Sequence, residues 1–352
     1  MEKYRVGIVG ATGMVGQRFI SLLKDHPWFE VNCVAASARS AGKTYREAVG
    51  ERWAFAWEIP EKVAGMTVVD AADIDEVSKH VDFVFCAVDM KKDEIRALEE
   101  AYAKHEIPVV SNNSACRGIE DVPMVVPEIN ADHLAVIEAQ KKRLGTKNGF
   151  IAVKPNCSIQ SYVPALTPLL DFEPEKVSVC TYQAISGAGK TFKTWPEMVD
   201  NVIPYIGGED EKSENEDGKI VNATLPVISA QCLRVACSDG HMAAVSVSFK
   251  KKPTIEQIKE RWANYETEAQ RLELPSAPKP FLQYFEDPSR PQTRLDRDFQ
   301  NGFGVSIGRL REDKLFDYRF VCLSHNTVRG AAGGGILTAE LLCRKGYIPH
   351  RV

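Results

Sequence analysis

The sequence predicts an α/β chain in two parts: a doubly wound parallel sheet, then an α+β region with a mostly antiparallel sheet. Three observations carry this. Short apolar runs alternate with helical patterns as far as residue 111, as in successive strand–helix–strand units. One run, 82–88 (DFVFCAV), is apolar almost throughout, which suits a strand covered on both faces. After Cys157, strand patterns follow one another with fewer helices between them.

The elements follow in order. Residues 4–9 predict a strand and 14–25 a helix that stops before Pro27. Further strands are expected at 30–36, 66–69 and 82–88, then a helix at 91–105 and a strand at 108–111. Beyond Cys157 the strand patterns are 177–185, 233–237, 242–249, 302–310 and 315–323. In the third of these, Ala243, Val245, Val247 and Phe249 share one face, and His241 falls on that face at its start. Residues 207–218 are acidic and flanked by glycine, which predicts a surface loop or a short exposed helix. Residues 275–280 form a proline-rich connector, and 327–344, small and apolar, predict a closing helix.

A chain of 352 residues can build two domains with cores of their own. Its net charge of −4 weighs against nucleic acid or anionic membrane as a partner, so any basic site must be local. No apolar run reaches the roughly 18 residues of a membrane helix. The strand beginning at Tyr4 leaves no room for a signal peptide, and the expected location is the cytoplasm. Nine cysteines, without a C-x-x-C pair, read as reduced thiols, and Cys33, Cys86, Cys180 and Cys322 sit in strand-like runs. Cysteines and histidines lack metal-ligand spacing, so no metal is expected.

Gly10-Ala11-Thr12-Gly13-Met14-Val15-Gly16 joins the first strand to the first helix. In that context the glycines permit a tight turn and close approach to a dinucleotide pyrophosphate. The second strand runs into Ser37, Arg39, Ser40 and Lys43, where an NAD site would usually place an acid. Hydroxyls and cations suit the 2′-phosphate of NADP instead. Ser186-Gly187-Ala188-Gly189-Lys190-Thr191 resembles a phosphate loop but has Ala184 where that motif needs its first glycine. A turn approaching the nicotinamide or the reacting acyl group is the better reading.

Lys154-Pro155-Asn156-Cys157-Ser158 places one cysteine at a strand-to-helix junction, where N–H groups and the helix dipole favour a thiolate. Together with the dinucleotide fingerprint, it predicts capture of an acyl group by the thiol, followed by hydride transfer. His241 is the candidate proton partner. Arg234 lies within an apolar strand and needs a carboxylate, from the protein or from a substrate. If 238–240 were a hairpin loop, alternation would turn Arg234 and His241 to opposite faces. A bulge or bend near Gly240 is then required to bring them together.

The GATGMVG fingerprint, the 36–43 loop, Pro-Asn-Cys-Ser, Gln183 before Ser-Gly, Arg234 with His241, and 326–330 (NTVRG) occur in this order over nearly the whole chain. Together they resemble the aspartate-semialdehyde dehydrogenase family, in its archaeal and fungal branch. The resemblance implies an NADP-binding Rossmann domain over 1–156, completed by a C-terminal helix at 327–352, and a catalytic and dimerisation domain over 157–326. It implies NADPH-dependent conversion of L-aspartyl-4-phosphate to L-aspartate 4-semialdehyde, a step toward lysine, threonine and methionine, by a homodimer or homotetramer.

It further implies that Cys157 is the nucleophile, His241 the acid/base and Gln183 the residue orienting the acyl group. Asn156 would stabilise the oxyanion. Arg234 would bind the substrate carboxylate and Glu209 its ammonium, with Asp210 and Glu211 as competing acids. Arg117 and Lys212 would hold phosphate, and Asn326, with Ser186 and Gly187, would lie by the nicotinamide. Ile159 and Met242 depart from the family pattern, which usually has threonine at both positions. Malonyl-CoA reductase and N-acetyl-glutamyl-phosphate reductase share this scaffold. The Arg234, Glu209 and Lys212 set favours an amino-acid acyl phosphate over them. A non-catalytic NADPH sensor would not need Cys157 and His241.

Overall fold

In the computed structural model, which describes residues 2–216 and 226–350, the strands sort into two sheets. The first contains β1 (Tyr4–Val9), β2 (Phe29–Ala36), β3 (Val69–Asp70), β4 (Phe83–Cys86), β5 (Val109–Ser111) and β6 (Ile151–Val153). All are parallel, in the order β3-β2-β1-β4-β5-β6. Strand order reverses beside β1, so the fingerprint at its carboxyl end lies at the topological switch point, where such sheets bind ligands.

Both faces of this sheet are covered. Phe83 and Phe85 point into a core shared with Ile8, Phe19, Ile336 and Leu337, whereas Val84 and Cys86 point into one shared with Tyr102 and Ile151. That double burial is why 82–88 lacks polar alternation. The expected strand at 66–69 shrinks to Val69–Asp70, because Met66 and Val68 bond to Tyr45 and Lys43 rather than to the sheet. β6, only three residues long, has no pattern of its own to find.

The second sheet contains β7 (Pro174–Gln183), β8 (Val202–Ile203), β9 (Val227–Val235), β10 (His241–Phe249), β11 (Leu282–Phe285), β12 (Val305–Glu312) and β13 (Tyr318–Ser324). Its order is β11-β12-β13-β10-β7-β9-β8, with β11–β12 and β7–β9 parallel and the other pairs antiparallel. β9 and β10 are therefore not a hairpin: β7 runs between them. Leu315, expected in a strand, is 89% exposed in the turn before β13.

The acidic segment is a helix, Glu209–Asn215, and it is not simply exposed: Glu209 and Ser213 are buried. Ser213 is held by the Tyr162 hydroxyl, which donates to its carbonyl at 2.8 Å, and by Ser158 Oγ at 3.2 Å. Residues 217–218 of that expectation, and 351–352 of the closing one, lie outside the described residues.

The closing helix, Gly333–Arg344, returns to the first sheet, close enough that a Cβ on Gly335 would sit 3.0 Å from Phe19. Just before it, Arg329 and Glu128 form a buried two-point ion pair, with Nη2 to Oε2 at 2.7 Å. Arg329 also donates to Gln160 Oε1 at 3.3 Å and to the Phe303 carbonyl at 3.2 Å. Removing the cation strands a buried carboxylate. Arg329→Ala should lower unfolding stability by about 3–5 kcal/mol in urea titrations, and a loss below about 1 would show the pair to be dispensable.

Candidate active site

The register of β7 assembles the site. Gln183 pairs with Arg234 on its parallel side, and Tyr182 pairs with Met242 on its antiparallel side, which sets His241 beside Gln183. Residues opposite one another share a face. Gln183, Arg234 and His241 thus stand together, at 1%, 6% and 0% exposure. The bend expected near Gly240 is not what unites them, because the intervening strand removes the hairpin geometry that would have opposed them.

Cys157 meets this row from the first sheet. It lies between β6 and the helix Ile159–Leu166, in a turn tied by the Ser158 N–H donating to Asn156 Oδ1 at 2.7 Å. Its Sγ is 3.4 Å from His241 Nε2. Gly330 closes the back of the turn, where an added Cβ would come within 2.8 Å of the Cys157 Cβ. Gly187 closes the front, where one would meet Arg234 Nη1 at 2.8 Å and the His241 ring at 3.0 Å.

The Ala184 N–H donates to His241 Nδ1 at 3.1 Å, so in the neutral ring the hydrogen sits on Nε2 and points at the sulfur. Burial and the Arg234 cation push the ring's pKa down to about 3. Burial and the Glu209 carboxylate push the Cys157 thiol up, against Lys154, Arg117 and Arg234. The helix start alone led to the expectation of a ready thiolate; burial of the sulfur and the Glu209 carboxylate both act against it.

Arg234 donates to the Ala184 carbonyl at 2.7 Å and joins none of the ion pairs found among the described residues. The rest of its fork is available to a substrate carboxylate. Glu209 accepts from Lys212 Nζ at 2.7 Å, Asn156 Nδ2 at 3.1 Å and Gln183 Nε2 at 3.4 Å. Burial raises its pKa, but these partners outweigh burial and hold the carboxyl below its usual range. Among the three acids, Asp210 turns to β9, accepting the Cys232 N–H at 2.8 Å, and Glu211 lines the cleft of Arg117 and Lys212, whereas Glu209 bonds Asn156 and Gln183 beside the cysteine turn. Asn156, expected at the oxyanion, has its amide committed to Glu209 and its carbonyl oxygen to the helix start.

Arg117 and Lys212 line one cleft of about 630 Å³. Between Arg117 and the cysteine turn lies Glu216, which sequence reasoning missed. It accepts from Arg117 Nη1 at 2.9 Å and from the Asn156 N–H at 2.6 Å. Its spacing of seven from Glu209 on one helical face was the available signal. Gly330 and Lys154 were also passed over.

The fingerprint has the geometry a dinucleotide needs. Gly10 has φ +89°, and a Cβ there would lie 2.4 Å from the Ala87 carbonyl oxygen; on Gly16 it would strike the Gly10 carbonyl oxygen at 2.3 Å. At Gly13 the nearest atom is 3.5 Å away, so the approach to the helix beginning with Met14 and Val15 is open. Gly10 and Ala11 donate to the Ala35 carbonyl, which fixes Thr12 and the turn beside the end of β2, where Ser37 and Arg39 are exposed and Ser40 is buried. A cleft of about 170 Å³ connects Met14 and Arg18 to Ser186, Lys190 and Asp239. Asn326 borders it, donating to Ser186 Oγ at 2.8 Å and accepting the Gly240 N–H at 2.8 Å.

A ring held neutral in the fold gives a pH signature. Its folded pKa lies below the ordinary 6.5, so the unfolded chain takes the proton first. The stability it contributes is complete above 6.5 and falls with pH toward about 3. His241→Asn should flatten that acid limb in urea unfolding measured at successive pH values. An unchanged limb would mean the native ring is already charged.

Comparison with known proteins agrees with the two-part fold. Residues 5–137 match the model for the semialdehyde dehydrogenase NAD binding domain, and residues 166–329 that for the semialdehyde dehydrogenase dimerisation domain. The aspartate-semialdehyde dehydrogenase of Schizosaccharomyces pombe is 45% identical, the match covering 98% of this chain and 99% of the relative. That of Archaeoglobus fulgidus is 41% identical over 98% of this chain and 100% of its own. The crystal structure of the Candida albicans enzyme with NADP superposes with a TM-score of 0.87 at 39% identity, covering 99% of this chain and 100% of that one. The chain belongs to the aspartate-semialdehyde dehydrogenase family.

Proposed function

We propose that this protein catalyses the NADPH-dependent reductive dephosphorylation of L-aspartyl-4-phosphate to L-aspartate 4-semialdehyde through a thioester on Cys157. The single observation that carries this reading is the cluster of part-buried Cys157 with buried His241, Gln183, Arg234 and Glu209, packed against Gly187, whose neighbour Ser186 lines the cleft at Met14 and Arg18. Its charges suit the substrate. Arg234 takes the α-carboxylate, Glu209 the ammonium, and Arg117 with Lys212 the phosphate.

The Cys157 sulfur bonds to the acyl carbon as the carbon–oxygen bond to phosphate breaks. His241 directs Nε2–H at the sulfur and steadies its charge. Gln183 holds Glu209 and borders the acyl group. The cofactor, when bound, supplies hydride to the thioester carbon. Gly10, Gly13 and Gly16 would hold its pyrophosphate, Ser37, Arg39 and Ser40 its 2′-phosphate, and Ser186, Gly187 and Asn326 would border the nicotinamide. Collapse of the reduced adduct then frees the aldehyde and the sulfur.

We divide the chain into a cofactor domain, 1–156 with 327–352, and a catalytic and dimerisation domain, 157–326. Val199, Val202, Tyr205 and Val227 are 55–74% exposed around the β8 edge of the second sheet, which supports a homodimer or homotetramer; the cytoplasm is the proposed location. Val202→Glu should dissociate the assembly in sedimentation equilibrium. An unaltered mass would place the contact elsewhere.

The deciding assay runs the reaction in reverse. Aspartate semialdehyde should reduce NADP only with phosphate present, whereas CoA-dependent activity with malonyl-CoA would favour the sister chemistry. Cys157→Ser should lose nearly all turnover, and retention of roughly a tenth would remove the cysteine from its role. Arg234→Lys should raise KM for the semialdehyde, because an ammonium cannot make the planar two-point contact. An unchanged KM would assign the carboxylate to another cation.

A further inference from the structure

The position assigned above to phosphate already holds an anion. One oxygen of the Glu216 carboxylate accepts from Arg117 Nη1 at 2.9 Å, and the other accepts from the Asn156 N–H at 2.6 Å. The first donor belongs to a cation assigned to phosphate. The second is a backbone amide one residue before Cys157. A guanidinium combined with a turn amide is a donor set that suits phosphate as well as a carboxylate. The Arg117 and Glu216 side chains are only 10% and 12% exposed, so water and salt screen the pair little.

The helix that carries Glu216 does not account for this placement. Glu216 caps the carboxyl end of Glu209–Asn215, its N–H donating to the Lys212 carbonyl at 3.0 Å. A negative charge is disfavoured at that end of a helix. The carboxylate is held instead by Arg117 and the cysteine turn. Glu216 also lines the cleft of about 630 Å³ shared with Arg117 and Lys212, which gives the carboxylate somewhere to turn when it leaves its donors.

The two cations differ in what they can offer phosphate. Lys212 reaches Glu209 through one ammonium hydrogen and carries two others, so it can bind phosphate and keep its partner. Arg117 directs Nη2 to the Asn112 carbonyl at 3.3 Å and Nη1 to Glu216. A phosphate oxygen approaching Nη1 or the Asn156 N–H would meet a like charge already bound there.

We propose that Glu216 is a built-in stand-in for phosphate, occupying its donors until phosphate displaces it. The proposal rests on the functional reading above, with Arg117 as a phosphate cation. As phosphate departs, the carboxylate returns, so Arg117 and the turn amide exchange one anion for another. An outside anion binds such a site more weakly, in proportion to the time the internal one occupies it. Glu216 thereby keeps phosphate affinity low and promotes its release.

Binding of inorganic phosphate, followed by phosphorus NMR titration without cofactor or semialdehyde, tests this apart from turnover. Failure of the functional reading would show separately, in the phosphate-dependence assay. Glu216→Gln keeps the length of the side chain and an acceptor oxygen but removes the charge. It should tighten phosphate about tenfold, and adding Arg117→Met should abolish the gain. In the reverse reaction Glu216→Gln should lower KM for phosphate by a similar factor. Equal or weaker binding in Glu216→Gln would overturn the proposal, because a carboxylate that merely orients Arg117 would weaken binding when lost. A gain that survives Arg117→Met would overturn it too. A crystal structure of the wild-type protein in saturating phosphate should show phosphate on Arg117 and the Asn156 N–H, with the Glu216 carboxylate turned into the cleft. Glu216 still on both donors would equally defeat the idea.

Discussion

The contact on which the site depends is the buried ion pair of Arg329 and Glu128. Arg329 stands at the entry to the closing helix, Glu128 precedes β6, and Gln160, also bound, belongs to the helix that follows the cysteine. One guanidinium therefore fixes three segments that are remote in sequence. The next residue, Gly330, packs against Cys157 with no space for a side chain. The sulfur is thereby pressed toward His241, which belongs to the other sheet.

Electrostatics within that enclosure follow from desolvation more than from any single partner. Burial keeps His241 neutral, raises the Cys157 thiol and depresses Lys154. Glu209 departs from this pattern because Lys212, Asn156 and Gln183 all donate to it, leaving one firm negative charge beside one fork of positive charge on Arg234. Those two groups set opposite charges beside the sulfur, and burial favours the uncharged thiol and imidazole.

Much of this was legible in the chain itself. The alternation in β10 correctly put His241 on the apolar face, and the pattern around Gly10 correctly put a glycine turn between the first strand and the first helix. What alternation cannot reveal is which strands are neighbours. Arg234 and His241 looked opposed only because β9 and β10 are consecutive in sequence, and the insertion of β7 is a long-range pairing with no local signal. Glu216 and Lys154 were overlooked for a related reason. A charged residue beside an apolar run reads as a boundary until tertiary structure shows that water is excluded from it.

The shared register of β7, β9 and β10 also bears on how such an enzyme can diversify. An insertion or deletion within β7 would shift Gln183 against both flanking strands at once, so the lengths of these strands are locked. Glu209, by contrast, arrives on a separate short helix outside that lattice. Adaptation to a longer or differently charged acyl chain is therefore open mainly to that helix, whose repositioning leaves the sulfur and imidazole where they are.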